Sequence, residues 1–427
     1  MANVTRSCLE ANSNRVPPGA IFDRIQQVRV DFAQALLQRL VQVGARGNEV
    51  FGILDVVWKA LRARQGTYED ALTNDDTEHY RSLLNVLFLA LQFHLDGPNR
   101  TAPAARSSHV SSHDLDIVPD IVNVVVAQGF KSLTSYLHDD PGKCTPKDFA
   151  IVIAILQTCL QVKDAYKLSE PIAYNIQTHD TARYAVALFS WADKLTMGDD
   201  PVYGELSVSI LVKLSTVSIL ADYLATESVL MSLSTCRLTK ALRHPKGAGP
   251  FDPIPRLYAI WTDGFLPLCL NILFSVVQAA PEVPAFLNQF EGQLTRAGEL
   301  FSGRAGPSQM AYSSQWITLS MASEAYSLSL ICFILDQLRT AGPSVGLDPQ
   351  LIQDLKWDRD SVKEDIEDLL ERRSVLRGRI VSTNDRELEW ARQPAVTVPS
   401  DAENRLEEKV VQQLKAALAC LSGGEES

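Results

Sequence analysis

The stretch that decides the fold is YAIWTDGFLPLCLNILFSVVQAAPEVPAFL, residues 258 to 287. From Gly264 to Ala280 it contains seventeen residues without a charge, which is close to the minimum that an α-helix needs to cross the hydrocarbon core of a membrane. The stretch also contains Pro267 and Asn271, and no basic residue follows it before Arg296. These features argue against a transmembrane segment.

A polar stripe along the same stretch favours a helix that packs in water. Six polar or helix-breaking positions lie within about one third of the helix circumference. They are Arg256, Asp263, Pro267, Asn271, Ser275 and Gln278. We therefore predict a helix that is covered by protein on its other sides, with Pro267 kinking it at the solvated side.

Composition indicates a folded protein of a reducing compartment. The chain has 427 residues, of which 46% are hydrophobic and 21% charged, so it is too long for one hydrophobic core and apolar enough to fold. A formal net charge of −11, with no run of Lys and Arg, argues against direct nucleic-acid binding. Seven scattered cysteines, without a Cys-x-x-Cys pair or a signal segment, indicate a nuclear or cytosolic chain.

Gly and Pro clusters cut the chain at fairly even intervals, and strand signals are nearly absent. A capping residue followed by proline predicts a helix start at Thr145-Pro146, Asp200-Pro201 and Asp348-Pro349. Ser400 and Glu403 have the spacing of a capping box before the last apolar run. Most segments between the clusters therefore have helical starts and helical lengths.

The segment from Leu206 to Leu224 is open to two interpretations. Its apolar residues recur every three or four positions, which predicts one long helix, whereas Val208 to Leu214 alternates as a strand would. A length of about twenty residues without a turn signal exceeds that of an ordinary strand. We therefore predict a helix.

These patterns predict an all-α fold, an irregular α-solenoid of HEAT or armadillo style with about thirteen to fifteen helices. Residues 1–346 form the repeat array, and the segment near 97–114, rich in small polar residues and proline, is a mobile loop. Residues 347–427 carry 30 charged residues in 81, against 61 in the preceding 346. We expect these charged helices to cap the C-terminal end.

Motifs for catalysis or metal binding are weak. Pro141 to Thr145 resembles the end of a phosphate loop, but Leu137 stands where that loop needs glycine. His109 and His113 have the spacing of a helical metal pair, yet the Glu that should follow the first His is missing. We expect a plain turn, exposed loop histidines, and neither an enzyme activity nor a cofactor.

The last helix offers the most concrete binding surface. Its apolar stripe consists of Leu406, Val410, Leu414, Ala417 and Leu421, with Val411 and Leu418 beside it. Such a stripe either packs against the chain itself or forms an apolar groove for a peptide. Leu414 and Leu418 are the candidate peptide-binding residues.

The run FDPIPRLYAIWTDGFLPLCLNILF, residues 251 to 274, resembles the C-terminal tail of the large scaffold nucleoporins in the inner ring of the nuclear pore complex. The likeness extends over nearly the whole chain. It implies a karyopherin-like helical superhelix at the nuclear envelope, without enzymatic activity, that supports protein and mRNA transport. The expected partners are a helical segment of a linker nucleoporin and phenylalanine-glycine (FG) repeats.

An importin-like soluble transport or adaptor receptor is the alternative, because it would share the helical repeats and the acidity. The two classes differ in their ligands. A receptor would bind the small GTPase that drives transport, whereas a scaffold would bind a linker-nucleoporin peptide and ignore the GTPase.

Overall fold

The computed structural model describes residues 1–13, 19–45, 50, 52–64, 66–95, 112–195, 200–302, 316–342, 346–396 and 402–423. Within these ranges the chain forms twenty-one helices. Extended pairing in the same ranges is limited to three isolated bridges, Leu95 with Val162, Ile317 with Ile380 and Pro394 with Asn404. The predicted all-α class is confirmed for the described part of the chain.

The chain divides into two compact units, Met1–Leu188 and Phe189–Ser427. The helices of the first unit, the last of which runs three residues past its boundary, are α1 Ala2–Ser13, α2 Ala20–Gln42, α3 Ile53–Arg64, α4 Tyr68–Thr73, α5 Thr77–Gln92, α6 Ser112–Asp139, α7 Pro146–Gln161, α8 Ser169–Thr178 and α9 Thr181–Trp191. Helix α6 contains a π-helical segment, Val122–Gln128. Helices near in sequence pack on one another, α2 on α1 and α5, and α5 on α7, as in stacked helical repeats.

A buried aromatic and ionic cluster holds the first unit together. The rings of Tyr68 and Tyr80 meet edge to face with their centroids 4.8 Å apart, and both side chains are fully buried. Arg81 on α5 donates to both carboxylate oxygens of Asp148 on α7, at 2.8 and 3.0 Å. Asp148 also completes a capping box with Thr145, so the predicted helix start at Thr145-Pro146 is confirmed.

The second unit contains twelve helices in its described residues. They are α10 Val202–Ser215, α11 Ser218–Thr226, α12 Val229–Thr235, α13 Arg237–Leu242, α14 Pro255–Ser275, α15 Glu282–Leu287, α16 Glu291–Gly298, α17 Leu319–Ala341, α18 Arg359–Glu371, α19 Arg373–Arg379, α20 Asp385–Arg392 and α21 Arg405–Leu421. Helix α14 packs on α10, α11 and α17, and α21 packs along α17 with α18 and α20 beside it.

Helix α14 contains the stretch that decides the fold. Phe265 contacts Phe286 and Phe290 at centroid distances of 5.2 and 5.5 Å, and Trp261 lies against Phe290 at 5.4 Å. Of the six positions in the predicted polar stripe, Asp263 and Gln278 are exposed and none is fully buried. The predicted arrangement, covered on the apolar sides and open along the stripe, is confirmed.

Two described helices, α14 and α17, are long and apolar enough by composition to cross a membrane. In α14, 67% of the most apolar window is buried by the rest of the chain, and in α17 the share is 44%. Core helices of water-soluble folds pass the same test. The burial of α14 therefore agrees with its prediction as a packed helix.

A π-helical segment, Ile260–Phe265, ends two residues before Pro267 in α14. Proline has no backbone N–H, so the regular hydrogen-bond ladder is interrupted at this point. Gly264 lies in the same segment, where a Cβ atom would come within 2.6 Å of the Val208 side chain. The glycine therefore permits the close approach of α10 to α14.

The segment predicted as one helix from Leu206 to Leu224 is two helices, α10 and α11. The break lies at Val217, which has an extended backbone with φ −101° and ψ 119°. The hydroxyls of Ser215 and Thr216 donate to carbonyls three residues earlier, at 2.9 and 2.7 Å, and such local bonds compete with helix propagation. Short breaks of this kind explain why twenty-one helices occur where about thirteen to fifteen were predicted.

The other predicted starts differ in outcome. Asp348 accepts the Gln350 N–H at 3.0 Å and caps a short 3-10 turn. At Asp200-Pro201 the helix begins at Val202 without a side-chain cap. The Ser400 site lies outside the described residues, and Asn404 caps the last helix instead.

Residues 97–111 of the predicted loop lie outside the described part of the chain, whereas Ser112 to Asp114 begin helix α6. The loop near 97–114 therefore ends earlier than the sequence indicates. The division into an array (1–346) and a charged cap (347–427) stays a prediction.

Candidate functional site

Helix α21, the predicted binding helix, turns its apolar stripe inward. Asn404 accepts the Glu407 N–H at 2.9 Å and starts the helix. Leu406, Val410, Leu414 and Ala417 are each at most 2% exposed. These four members of the stripe therefore belong to the core of the second unit, whereas Leu421 at the end of the helix is partly exposed.

The two candidate peptide-binding residues lie in different environments. Leu414 is fully buried, whereas Leu418 is only partly covered. The structure does not bring them together on one open surface. Peptide contact at this end of α21 stays a prediction, and Leu418 is the member of the pair that solvent reaches.

Arg377 on α19 fixes the first turn of α21. It donates to Glu407 at 3.0 Å and also pairs with Glu403. A cleft of about 410 Å³ opens beside these groups, between Ile380 and Leu406. Its walls are both polar and apolar, and the ion pairs at its rim join α19 to the start of α21.

A second apolar surface, which the sequence reasoning missed, lies on helix α2. Ile21, Ile25, Val28 and Phe32 are 76%, 42%, 59% and 49% exposed. Their spacing places them on one side of the helix, and we call them the α2 stripe. Large apolar side chains gathered in one exposed stripe are characteristic of protein interaction sites.

The opposite side of α2 anchors the helix in the first unit. Val30, Ala33 and Leu37 are fully buried, in the helix that packs on α1 and α5. Gln27 adds polar anchors, since it donates to Ser82 at 3.1 Å and lies 2.6 Å from a ring nitrogen of His79. The α2 stripe is therefore displayed on a helix that is fixed from behind.

A shallow groove of about 360 Å³ adjoins this helix. It lies between α1 and α2 and is lined by Val4, Cys8, Ala11 and Arg29 among others. Val4 is 47% exposed. The groove offers a mostly apolar floor next to one cation.

The sequence carries a signal for the α2 stripe, because its members recur at i, i+4, i+7 and i+11. A second apolar line runs through Val30, Ala33 and Leu37 on the other side. A helix with two apolar sides looks like a buried helix when only its sequence is known. Which side remains open is decided by the neighbours.

A buried polar cluster links helices α14, α16 and α17. The carboxylate of Glu324, which is fully buried, accepts hydrogen bonds from Tyr258 at 2.7 Å and Trp261 at 2.6 Å. Arg296 pairs with the same carboxylate and lies over the Tyr258 ring at 5.0 Å. Burial raises the pKa of Tyr258 well above its usual value, and Glu324 raises it further.

This cluster has the features of a structural link. Solvent does not reach the Glu324 carboxylate, and three donors already occupy it. A catalytic acid or base needs access to a substrate proton. We therefore assign these groups to the packing of three helices.

Three buried cysteines are unsuited to nucleophilic chemistry. Burial raises the pKa of the thiols of Cys144, Cys159 and Cys332 to about 12 in each case. A thiol is a nucleophile in its deprotonated form, so these three are inert at neutral pH. Among the described residues, no group of three His, Cys, Asp or Glu side chains could hold a metal ion.

Neither the segment that resembles a phosphate loop nor the pair of histidines forms a binding site among the described residues. Pro141 to Lys143 form a turn before α7, as predicted, and Cys144 is buried behind it. His109 lies outside the described residues, whereas His113 lies in the first turn of helix α6 and not in the expected loop. The spacing of the two histidines therefore has no described geometry.

Comparison with known proteins places this arrangement in one family. The model of the family described as the nuclear pore protein NUP188 C-terminal domain matches residues 53–421. Nucleoporin NUP188 of Chaetomium thermophilum is 33% identical over 463 aligned residues, covering 99% of this chain and 24% of that protein. Nucleoporin NUP188 of Saccharomyces cerevisiae is 21% identical over 149 residues, covering 35% of this chain and 9% of that protein.

A solved structure agrees with the sequence relatives. Residues 1445–1827 of Nup188 from Myceliophthora thermophila match with a TM-score of 0.72 at 30% identity, over 87% of this chain and 98% of the solved one. The chain spans about a quarter of the length of the Chaetomium relative. Its helical repeats, its fold and its sequence together show that the chain belongs to the nuclear pore protein NUP188 C-terminal domain family, components of the nuclear pore complex at the nuclear envelope.

Proposed function

We propose that the chain is a scaffold element of the inner ring of the nuclear pore complex, and that it acts by binding other nucleoporins without catalysis. Family membership supports the scaffold role. The inert buried cysteines and the inaccessible Glu324 carboxylate support an activity that consists of binding alone.

The proposed ligand is an amphipathic helical segment of a linker nucleoporin, and the proposed contact is the α2 stripe. The observation that carries this proposal is the exposure of four large apolar side chains in one line, from Ile21 to Phe32. Twelve residues of α-helix extend over about 18 Å, or about three turns. An apolar face of that length suits the apolar face of a partner helix of similar length.

The charges beside the α2 stripe are mixed, which suits an amphipathic partner. Arg24, Arg29 and Asp31 flank the stripe on the same helix. Charged residues that flank the apolar face of a partner helix can therefore find an opposite charge here. Such contacts at the rim of an interface determine the orientation of the partner more than its affinity.

The end of α21 is the second proposed contact for the same class of ligand. Leu418 supplies the accessible apolar group there, and Leu414 supports it from within the core. This surface is smaller than the α2 stripe, because the rest of the apolar face of α21 is already covered.

Binding of FG repeats is proposed for the groove between α1 and α2. A volume of about 360 Å³ with Val4 and Ala11 in its walls admits a phenylalanine ring. The ring would gain apolar contact there and lie near Arg29, a cation that can interact with its face.

The test is a titration by fluorescence anisotropy with synthetic helical peptides from linker nucleoporins. We expect Phe32→Asp and Val28→Asp to weaken binding about tenfold or more, since each removes a central apolar contact and adds a charge. Val375→Asp is the matched control for Val28→Asp, because Val375 is a helical valine that is also exposed, at 49%. Equal affinity of all the variants would contradict the proposal.

Two further titrations separate the remaining alternatives. An unlabelled FG-repeat peptide should displace a labelled one from the groove. The Ala11→Glu variant should bind the labelled peptide more weakly than the parent chain does. The small GTPase of nuclear transport should not bind. Tight binding of that GTPase would favour the importin-like receptor.

A further inference from the structure

Three cationic side chains converge on one tryptophan near the C-terminus. The Lys409 ammonium lies 4.5 Å from the centroid of the Trp390 ring, and the guanidinium groups of Arg386 and Arg405 lie 4.8 and 5.9 Å from it. Trp390 is only partly buried. We call these four residues the Trp390 platform.

The platform is assembled from two helices whose relative position is fixed. Arg386 precedes Trp390 by one turn on α20, whereas Arg405 and Lys409 lie in the first turns of α21. The side chain of Arg405 donates to the side-chain oxygen of Gln393 at 3.1 Å, and its backbone N–H donates to the Gln393 carbonyl at 3.0 Å. These bonds join the end of α20 to the start of α21.

Most of the neighbouring carboxylates accept bonds from other groups, and Glu389 accepts the side-chain N–H of Gln393 at 3.1 Å. Arg377 pairs with both Glu403 and Glu407, and Glu408 accepts the Val396 N–H at 3.0 Å. Within the described part of the chain, no carboxylate forms an ion pair with a cation of the platform. Three positive charges are therefore held together without an acidic partner there.

This arrangement carries more charge than packing requires. One cation over a tryptophan face already provides a cation–π contact. The ammonium of Lys409 and the guanidinium of Arg386 can be no farther apart than the sum of their distances to the ring, which is less than the Debye length of ~10 Å at 0.1 M salt. Their repulsion is poorly screened, and an anionic ligand would relieve it.

We propose that the Trp390 platform is a docking site for an acidic segment of a partner polypeptide. Side-chain carboxylates of that segment would accept hydrogen bonds from Arg386, Arg405 and Lys409, and its backbone would lie against the exposed part of the tryptophan. The chain carries a net charge of −11, so an extended polyanion such as RNA is repelled outside this small surface. A short acidic peptide extends less far beyond the platform and therefore meets less of that repulsion.

The platform shares no residue with the surfaces proposed for the linker helix and the FG repeats, although Arg405 and Lys409 lie on the same helix as Leu418. It binds by charge, whereas the α2 stripe binds by apolar contact. A failure of either proposal therefore leaves the other untouched.

The experiment uses the whole chain and a short fluorescein-labelled peptide of alternating Glu and Ser, followed by anisotropy at low and at physiological salt. The same peptide with Gln in place of Glu, and a labelled single-stranded RNA, serve as comparison probes. The protein variants are Arg386→Gln and Lys409→Gln. Lys415→Gln is the matched control, because it removes an exposed lysine from the same helix as Lys409.

We expect the Glu-bearing peptide to bind, the Gln-bearing peptide to bind far more weakly, and the affinity to fall as salt rises. Each platform variant should lose about tenfold in affinity, as for the loss of one charge-assisted hydrogen bond. Lys415→Gln should bind as the parent does, with thermal melting unchanged in all three variants.

Three results would overturn the proposal. The first is no binding of the acidic peptide to the parent chain at low salt. The second is an equal loss in Lys415→Gln, which would show only general charge attraction. The third is tighter binding of the RNA than of the peptide.

Discussion

Helices α2 and α21 both have amphipathic sequences, but the structure treats their apolar stripes in opposite ways. The stripe of α21 is covered, and Leu414 at its centre is fully buried. The stripe of α2 is open, and Val28 at its centre is 59% exposed. An apolar stripe in a stacked array thus marks either a packing face or a binding face, and only the neighbouring helices distinguish the two.

The largest expected effect comes from putting a charge into each stripe. Leu414→Asp buries a carboxylate without a partner and should lower the free energy of unfolding by more than about 4 kcal/mol. Val28→Asp places the same charge in water and should change it by less than about 0.5 kcal/mol. Thermal and urea unfolding of both variants measure the difference. Similar losses would mean that α2 is also covered.

The second largest loss of stability is expected when the buried carboxylate of Glu324 is removed from α17, the helix that packs along α21. Glu324→Ala leaves Arg296 without its buried partner, and breaking such a pair costs about 3–5 kcal/mol. The variant should also expose α21 to limited proteolysis, while cleavage near α2 stays at the parent rate. A stability within about 1 kcal/mol of the parent would contradict the structural role of Glu324.

Alkaline pH should destabilise both units through their buried tyrosines. Burial raises the pKa of Tyr68 and Tyr80 in the first unit and of Tyr258 in the second. The unfolded chain releases these protons near pH 10 and the folded chain only at higher pH, so stability is intact below about pH 10 and falls above it. Spectroscopic titration of tyrosinate, together with unfolding curves, measures this. Titration of all eleven tyrosines near pH 10 in the folded protein would contradict it.

The helix caps offer the smallest effects. Asn404 caps α21 through its side chain, whereas Gly19 starts α2 without a side-chain bond. Asn404→Ala should cost about 1 kcal/mol, and Gly19→Asn should add a few tenths. Urea unfolding measures the loss of stability in Asn404→Ala. Circular dichroism measures the expected small gain of helix content in Gly19→Asn. An unchanged free energy of unfolding in Asn404→Ala would contradict the capping role of Asn404.

The sequence predicted those features that depend on local chemistry or on one helix at a time. The interior position of α14 followed from its polar stripe, and the start of α7 followed from Thr145 and its proline. The break at Val217 was missed, because hydroxyl bonds from Ser215 and Thr216 compete with the helix only weakly and leave no strong signal in the sequence.

The parts of the candidate site that were missed depend on contacts between distant segments. Leu414 and Leu418 are neighbours on α21, yet the first is fully buried and the second is only partly covered. The Trp390 platform joins residues from two helices, and their spacing in sequence gives no hint of a shared ring. Such arrangements follow from tertiary packing, which periodicity alone does not specify.

Hydrogen–deuterium exchange of the chain, with and without a helical linker-nucleoporin peptide, tests the central claim most directly. The claim is that the uncovered stripe of α2, and not the covered stripe of α21, receives the main contact. We expect the peptide to slow exchange along α2, most strongly around Val28, with little change in the buried turns of α21 near Leu414. Slower exchange confined to α21, or no change in either helix, would contradict it.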